Sequence, residues 1–342
     1  MTAHRVAKRD TCHLHSGVFG LCALMVLATA PLLFGSMGHA VLSQMGIAII
    51  GCLSFNLLLG QGGMPSLGHA VYFGAGAFAA IHALNAIPPG LPVPVGLLPL
   101  AGGVASFALA LPLGWVCTRY THMPFAMITL AIGELLCTMA QILPDFLGGE
   151  GGIMGNRVTR WQPFGISYAP QIQLYYLIAA YTVVCTALML ALTATPLGLM
   201  LRAVRDNPER CDFLGYSSHR VRYQAFVIAA FFAGIAGGLA ALQFEIVTAD
   251  MFGSSRSFAY LVFTLLGGTG FFAGPILGGI LMVLAEVWLS AHTPAWQLYL
   301  GIVFLAMVLY APGGLASIAV RHLRLTYRQR PRHADDADNA DR

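Results

Sequence analysis

Between Asp10 and Arg119 the chain carries no aspartate, glutamate, lysine or arginine. An ordinary soluble domain is about 25% charged, and no soluble fold needs so long an uncharged run. It is enough chain for several membrane spans of roughly 20 residues each. The whole sequence agrees, with 57% of its 342 residues hydrophobic and 9% charged. The fold class expected is all-α, a polytopic transmembrane helical bundle of about 8–10 spans. A formal charge of +4 is modest, and nucleic-acid binding has no support in it. The seven cysteines fall mostly in apolar runs and show no paired metal-ligand spacing, so neither a disulfide framework nor a metal site is expected.

Apolar runs and their breaks give ten candidate crossings, over 17–35, 40–59, 66–87, 94–117, 123–144, 172–195, 222–243, 257–271, 275–290 and 295–311. The first follows Arg5, Lys8 and Arg9. It is longer than a signal core and further spans follow, so it reads as a retained helix after a 1–16 cytoplasmic segment. Gly267, Gly268, Gly270, Gly274 and Pro275 cut the end of the bundle into short pieces, which suits Gly/Pro-broken helices. With the N-terminus inside, 15 lysines and arginines fall in inside segments and 3 outside, Arg157, Arg160 and Arg256. That bias puts both termini in the cytoplasm. The expected organisation is therefore a 17–311 transmembrane domain with a cytoplasmic loop over 196–222. A basic then acidic cytoplasmic tail follows over 312–342.

The outside loop from Asp145 to Gln171, with Trp161 and Phe164, reads either as a flexible connection or as a contact surface for an external partner. Three segments are glycine-rich: 60–80, 147–155 and 265–279. The last echoes a dinucleotide fingerprint but lacks the strand, turn, helix and acidic residue that chemistry requires. At membrane depth such glycines either pack helices closely or open backbone to a solute. On the second alternative Gly62, Gly63, Gly268 and Gly270 are candidates for a translocation path. Ser66 follows Pro65 where a helix is expected to start, and its hydroxyl suits the free amides there. His69 is a polar ligand for a solute or a hydrogen-bonded packing residue. Glu134 and Glu286 lie inside expected spans, where a carboxylate lines a path, relays protons or, in neutral form, bonds another helix.

The stretch from Pro196 to Arg222 holds five arginines and three carboxylates between two long apolar runs. Asn207-Pro208-Glu209 is a helix start: Asn207 suits the cap, Pro208 the first position and Glu209 the positive end of the dipole. Gly215 suits the stop. The helix expected has about seven residues, marginal alone in water. Packing against its own spans, a docked partner, or both would hold it.

Five blocks, in order, resemble the permease subunits of ABC importers for branched-chain amino acids: NLLLGQGGMPSLGHAVYFGAGAFAA, FAMITLAIGELL, LGGEGGIMGN, LRAVRDNPERCDFLGYSSHRVRYQAFVIAAFFAGIAGGLAA and LLGGTGFFAGPILGGILMVLAE. The resemblance covers about residues 40–312. It implies a coupling helix within Arg202 to Gly215, seated in a cleft of a separate ATP-binding subunit that holds ATP and Mg. Arg202, Arg205, Asn207, Pro208, Glu209, Arg210, Asp212, Phe213, Leu214 and Gly215 are its coupling residues on this reading. It further implies a second homologous permease, an external solute-binding protein and a place in a bacterial inner membrane. The run Cys211-Asp212-Phe213-Leu214-Gly215 is bulkier than the small-residue run usual there. Related permeases carry urea or short amides, so that substrate class stays open.

Lys8 is the chain's one lysine, and no Walker A pattern occurs, so an importer built on this chain needs its ATPase from a partner. Of rival classes, an ion-coupled secondary transporter using Glu134 or Glu286 fits the composition but leaves the capped cytoplasmic helix unexplained. An intramembrane enzyme finds no nucleophile setting or metal cluster in the sequence.

Overall fold

The computed structural model describes residues 35–86, 94–157, 168–270 and 272–310. The expected 1–16 segment, residues 17–34 of the first expected span, Arg160, Trp161, Phe164 and the tail after Tyr310 lie outside the described residues. Helix α1 (Ser36–Asn56) runs into one π-helical turn, Leu57–Gln61. Helices α2 (Ala70–Ala86), α3 (Leu98–Cys117) and α4 (His122–Ile142) follow. One-turn α5 (Pro144–Leu147) leads to strand β1 (Ile153–Met154). After α6 (Gln171–Ala194) the charged stretch folds as α7 (Pro196–Asp206) and α8 (Pro208–Phe213). Then come α9 (Ser218–Phe244), β2 (Ile246–Val247), α10 (Ser254–Gly267), α11 (Ala273–His292) and α12 (Trp296–Tyr310).

Each expected crossing from 40–59 onward is met by a helix, and the chain is an all-α, multi-pass helical bundle. Among the described residues six helical segments are long and apolar enough to cross a membrane. At 17, 14 and 15 residues, α2, α10 and α12 fall short of the roughly 20 that a hydrocarbon core asks for. The expected interruption from Gly267 to Pro275 is narrower than the sequence suggests. It lies between Gly267 and Ala273, and Gly274 and Pro275 belong to the first turn of α11, where a missing amide donor does no harm.

Helices α1 and α9 form the centre, their most apolar stretches 78% and 89% buried within the bundle. α9 packs on α3, α2 and α1, and α1 on α11, α6 and α10. Helices α2, α3 and α9 meet backbone to backbone. A Cβ on Gly102 would lie 2.6 Å from the Gly76 carbonyl oxygen, and one on Gly234 would lie 2.7 Å from that of Gly102. Lipid gives helices little apolar reason to associate, so contact this close is what small residues contribute.

Part of the 145–171 loop is anchored chain, which removes the flexible-connection alternative over 153–157. β1 pairs antiparallel with β2, Ile153 opposite Val247. Buried Arg157 donates to the carbonyls of Leu242 (2.6 Å) and Tyr168 (3.0 Å), with Glu245 at 3.6 Å. A cation there satisfies carbonyls that the C-terminus of α9 leaves open.

Candidate functional site

Thr195 is extended (φ −71°, ψ 164°), which ends α6, and Pro196 opens α7. Gly198, Leu201 and Val204, spaced by three, form the buried stripe of α7. Leu201 and Val204 share a core cluster with Leu57, Leu58 and Met64 after α1 and with Val221 and Ala225 of α9. The two arginines of α7 turn back onto the helices. Arg202 donates to the carbonyls of Thr193 (2.9 Å) and Gly198 (3.3 Å). Arg205 pairs with Asp206 at 3.1 Å and donates its Nη1–H to the carbonyl of Gly60, in the π-helical turn.

Asn207 is extended (φ −156°, ψ 95°), and its Oδ1 accepts from the Arg210 amide at 3.0 Å. Pro208 takes the first helical position, with Glu209 in the first turn. Start and stop stand where the sequence puts them, but α8 has six residues where about seven are expected. Leu214 already leaves the helix, and Gly215 adopts φ +88°, the left-handed conformation glycine takes without strain.

Too short to persist alone, α8 is held in two ways. Cys211 is buried in the same cluster as Leu201 and Val204. The Asp212 carboxylate accepts from the Ser218 amide at 2.9 Å, while the Ser218 hydroxyl donates to the Pro208 carbonyl at 3.1 Å. The Ser218 amide, with Arg222 a lesser contributor, holds the Asp212 carboxyl below the usual carboxylate range. What faces outward is apolar: Phe213 is 91% exposed and Leu214 71%. Glu209, Arg210 and Gly215 are exposed beside them.

Two participants are missed by sequence reasoning. Ser217 and Ser218 start α9 four residues before the expected 222, with the Ser217 hydroxyl accepting from the Arg220 amide at 3.4 Å. A Ser-Ser pair just after the Gly215 stop is the signal that marks that start. Gly60 as the acceptor for Arg205 has no sequence signal.

The residues expected on a translocation path divide. A Cβ on Gly60 would lie 2.8 Å from the Thr269 carbonyl, so the chain leading into Gly62 and Gly63 adjoins the break that holds Gly268 and Gly270. A Cβ on Gly63 would lie 2.7 Å from Cγ of Arg205, which puts this junction against α7. Ser66 does not cap α2, against expectation. The amides of Leu67 and Ala70 donate instead to Thr129 of α4 (3.1 Å) and Ser257 of α10 (2.9 Å), and the buried Ser66 hydroxyl has no partner among the described residues. His69 is fully buried, its Nε2 hydrogen-bonded to the Ser54 hydroxyl at 2.8 Å and its ring edge-on to Phe55. Its Nδ1 is buried with no hydrogen-bond partner among the described residues. Glu134 is exposed on α4, and Glu286 is exposed on α11 at a separate cleft. Among the described residues no group of histidine, cysteine, aspartate and glutamate could hold a metal ion.

Residues 38–312 match the family described as branched-chain amino acid transport system / permease component. The chain is similar to the high-affinity branched-chain amino acid transport system permease protein LivM of Salmonella typhimurium, 30% identical over 327 residues, covering 89% of this chain and 76% of that one. The LivM protein of Escherichia coli is 30% identical over 329 residues with the same coverage. A probable branched-chain amino acid transport permease protein LivM of Methanocaldococcus jannaschii is 26% identical over 327 residues, covering 80% of this chain and 92% of that one. No solved structure matches the chain.

Proposed function

The chain belongs to the branched-chain amino acid transport system permease-component family, and from that premise we propose that it is the membrane-spanning subunit of an ATP-driven ABC importer. Its solute is a small amino acid, branched-chain by analogy with the names of its relatives, delivered by an external binding protein. ATP and Mg stay in the partner ATP-binding subunits. The importer sits in a bacterial inner membrane with the insert and both termini in the cytoplasm, as the lysine and arginine bias favours.

The observation that carries the reading is the tip of α8. Phe213 and Leu214 stand nearly bare at the end of a short helix that is rigidly tied to its own bundle. Burying one such side chain against a partner contributes about 1.5–3 kcal/mol. A push there passes to α7 through Asn207. It continues from α7 to the π-helical turn of α1 through Arg205 and Gly60, beside the break after Gly267. The glycine junction is thus the hinge that the coupling helix works. A second permease subunit suits the exposed face of α4, where Glu134 stands among Met127 and Leu135. A carboxylate facing lipid is costly, so that face meets protein or water.

Co-purification of the ATP-binding subunits with Phe213→Glu tests the reading. Association and ATP-driven uptake are lost while membrane insertion is intact. Unchanged association would remove the coupling role from α8.

A further inference from the structure

A cleft of about 140 Å³ lies among α1, α2, α9, α10 and α11, and two unlike charges face it, Arg256 and Glu286. We infer that this cleft binds the transported solute as a zwitterion, Arg256 taking its carboxylate, Glu286 its ammonium group, and the apolar wall its side chain. The inference rests on the amino-acid importer reading and names the site where that reading needs one.

Among the described residues the ion pairs are Arg157 with Glu245 and Arg205 with Asp206. Arg256 and Glu286 therefore share a cleft without being joined to each other. Glu286 lies within α11, and an ionisable residue inside a span is a functional candidate by default. Arg256 is held in place from one side. Its guanidinium lies 4.9 Å from the centre of the Phe73 ring, with Tyr260 lining the same cleft. That preorganises a planar donor fork of the kind that meets a carboxylate in two parallel bonds.

Ile47, Met282 and Val283 also line the cleft, with the amide of Gln44. At about 140 Å³ the cleft has room for a small solute. A neutral solute such as urea gives two opposite charges nothing to do, so the cleft favours the amino acid over the amide class. Location fits as well. Ala240 and Phe244, in the last turns of α9, line the cleft, whereas Ser218 starts that helix beside α8. At about 1.5 Å per residue these two residues lie roughly 33–39 Å along α9 from Ser218. In the topology proposed above, that is the side on which an external binding protein delivers.

The test uses the complete importer, this permease with its second permease, ATP-binding subunits and binding protein, in phosphatidylethanolamine–phosphatidylglycerol vesicles. ATP-driven uptake of labelled leucine is compared for wild type, Arg256→Gln and Glu286→Gln, with co-purification of the ATP-binding subunits as the check on assembly. Loss of a charge-assisted contact lowers maximal uptake by about tenfold or more in each variant, with assembly intact and partial recovery in Arg256→Lys. Uptake within about twofold of wild type in assembled variants overturns the inference alone. Should Arg256→Gln fail to assemble, Glu286→Gln decides, because its side chain is exposed and supports no packing. No leucine uptake by wild type removes the function proposed above, and this inference with it.

Discussion

Arg205 is joined to Gly60 by a charged donor on a backbone carbonyl, across 145 positions of sequence. Such bonds contribute about 1.5–3 kcal/mol, so Arg205→Ala should lower ATP-driven uptake by roughly tenfold while leaving ATPase association near wild type. The ratio of solute moved to ATP hydrolysed reads this directly. An equal fall in association would place Arg205 on the docking face. Asn207→Ala removes the cap on α8 at a cost of about 1 kcal/mol, and the affinity for the ATP-binding subunits should fall about fivefold; Asn207→Asp should keep it. The Asp212 carboxyl titrates below the physiological range. Its pKa lies below the ordinary value of 3.8 when the Ser218 amide donates to it, so its contribution is complete above that value. It is lost as pH falls through the lowered one. ATPase association should therefore show no titration from this group between about pH 5 and 8, and Asp212→Asn should weaken it across that whole range.

At the scale of elements, α8 was legible because its start and stop use local chemistry: Asn207, Pro208 and Gly215 act within a few residues of themselves. The start of α2 was not, since Thr129 and Ser257, from α4 and α10, take the amides that Ser66 was expected to hold. Distant hydroxyls displaced a local cap, and no window of sequence shows that. The same division runs through the glycines, whose density was visible while their partners were not. Gly76, Gly102 and Gly234 come from three helices to one contact. Gly234→Leu would drive a side chain into that backbone, at a cost of about 1–3 kcal/mol or more. It should lower the thermal unfolding midpoint in detergent, with Gly234→Ala milder; an unchanged midpoint would mean that the three helices are not in this contact.

At the scale of the whole molecule, the order of the helices from residue 40 onward followed from apolar runs, because lipid forces every span to satisfy its own backbone, whereas only six described segments reach spanning length. Which helices lie at the centre did not follow, since α1, α6 and α9 are similarly apolar yet differ widely in burial. The structure arranges two features along the bundle, the apolar tip of α8 at one end and the Arg256–Glu286 cleft about one helix length away. In the proposed importer the first is the drive and the second the cargo site, and the drive is ATP hydrolysed by a partner docked on α8. The direct measurement is solute uptake into vesicles holding the importer, with and without the ATP-binding subunits, under internal ATP or an imposed ion gradient. Uptake is expected only with those subunits and ATP together, and is abolished by Phe213→Glu. Uptake on an ion gradient with no ATP-binding subunit present would contradict it.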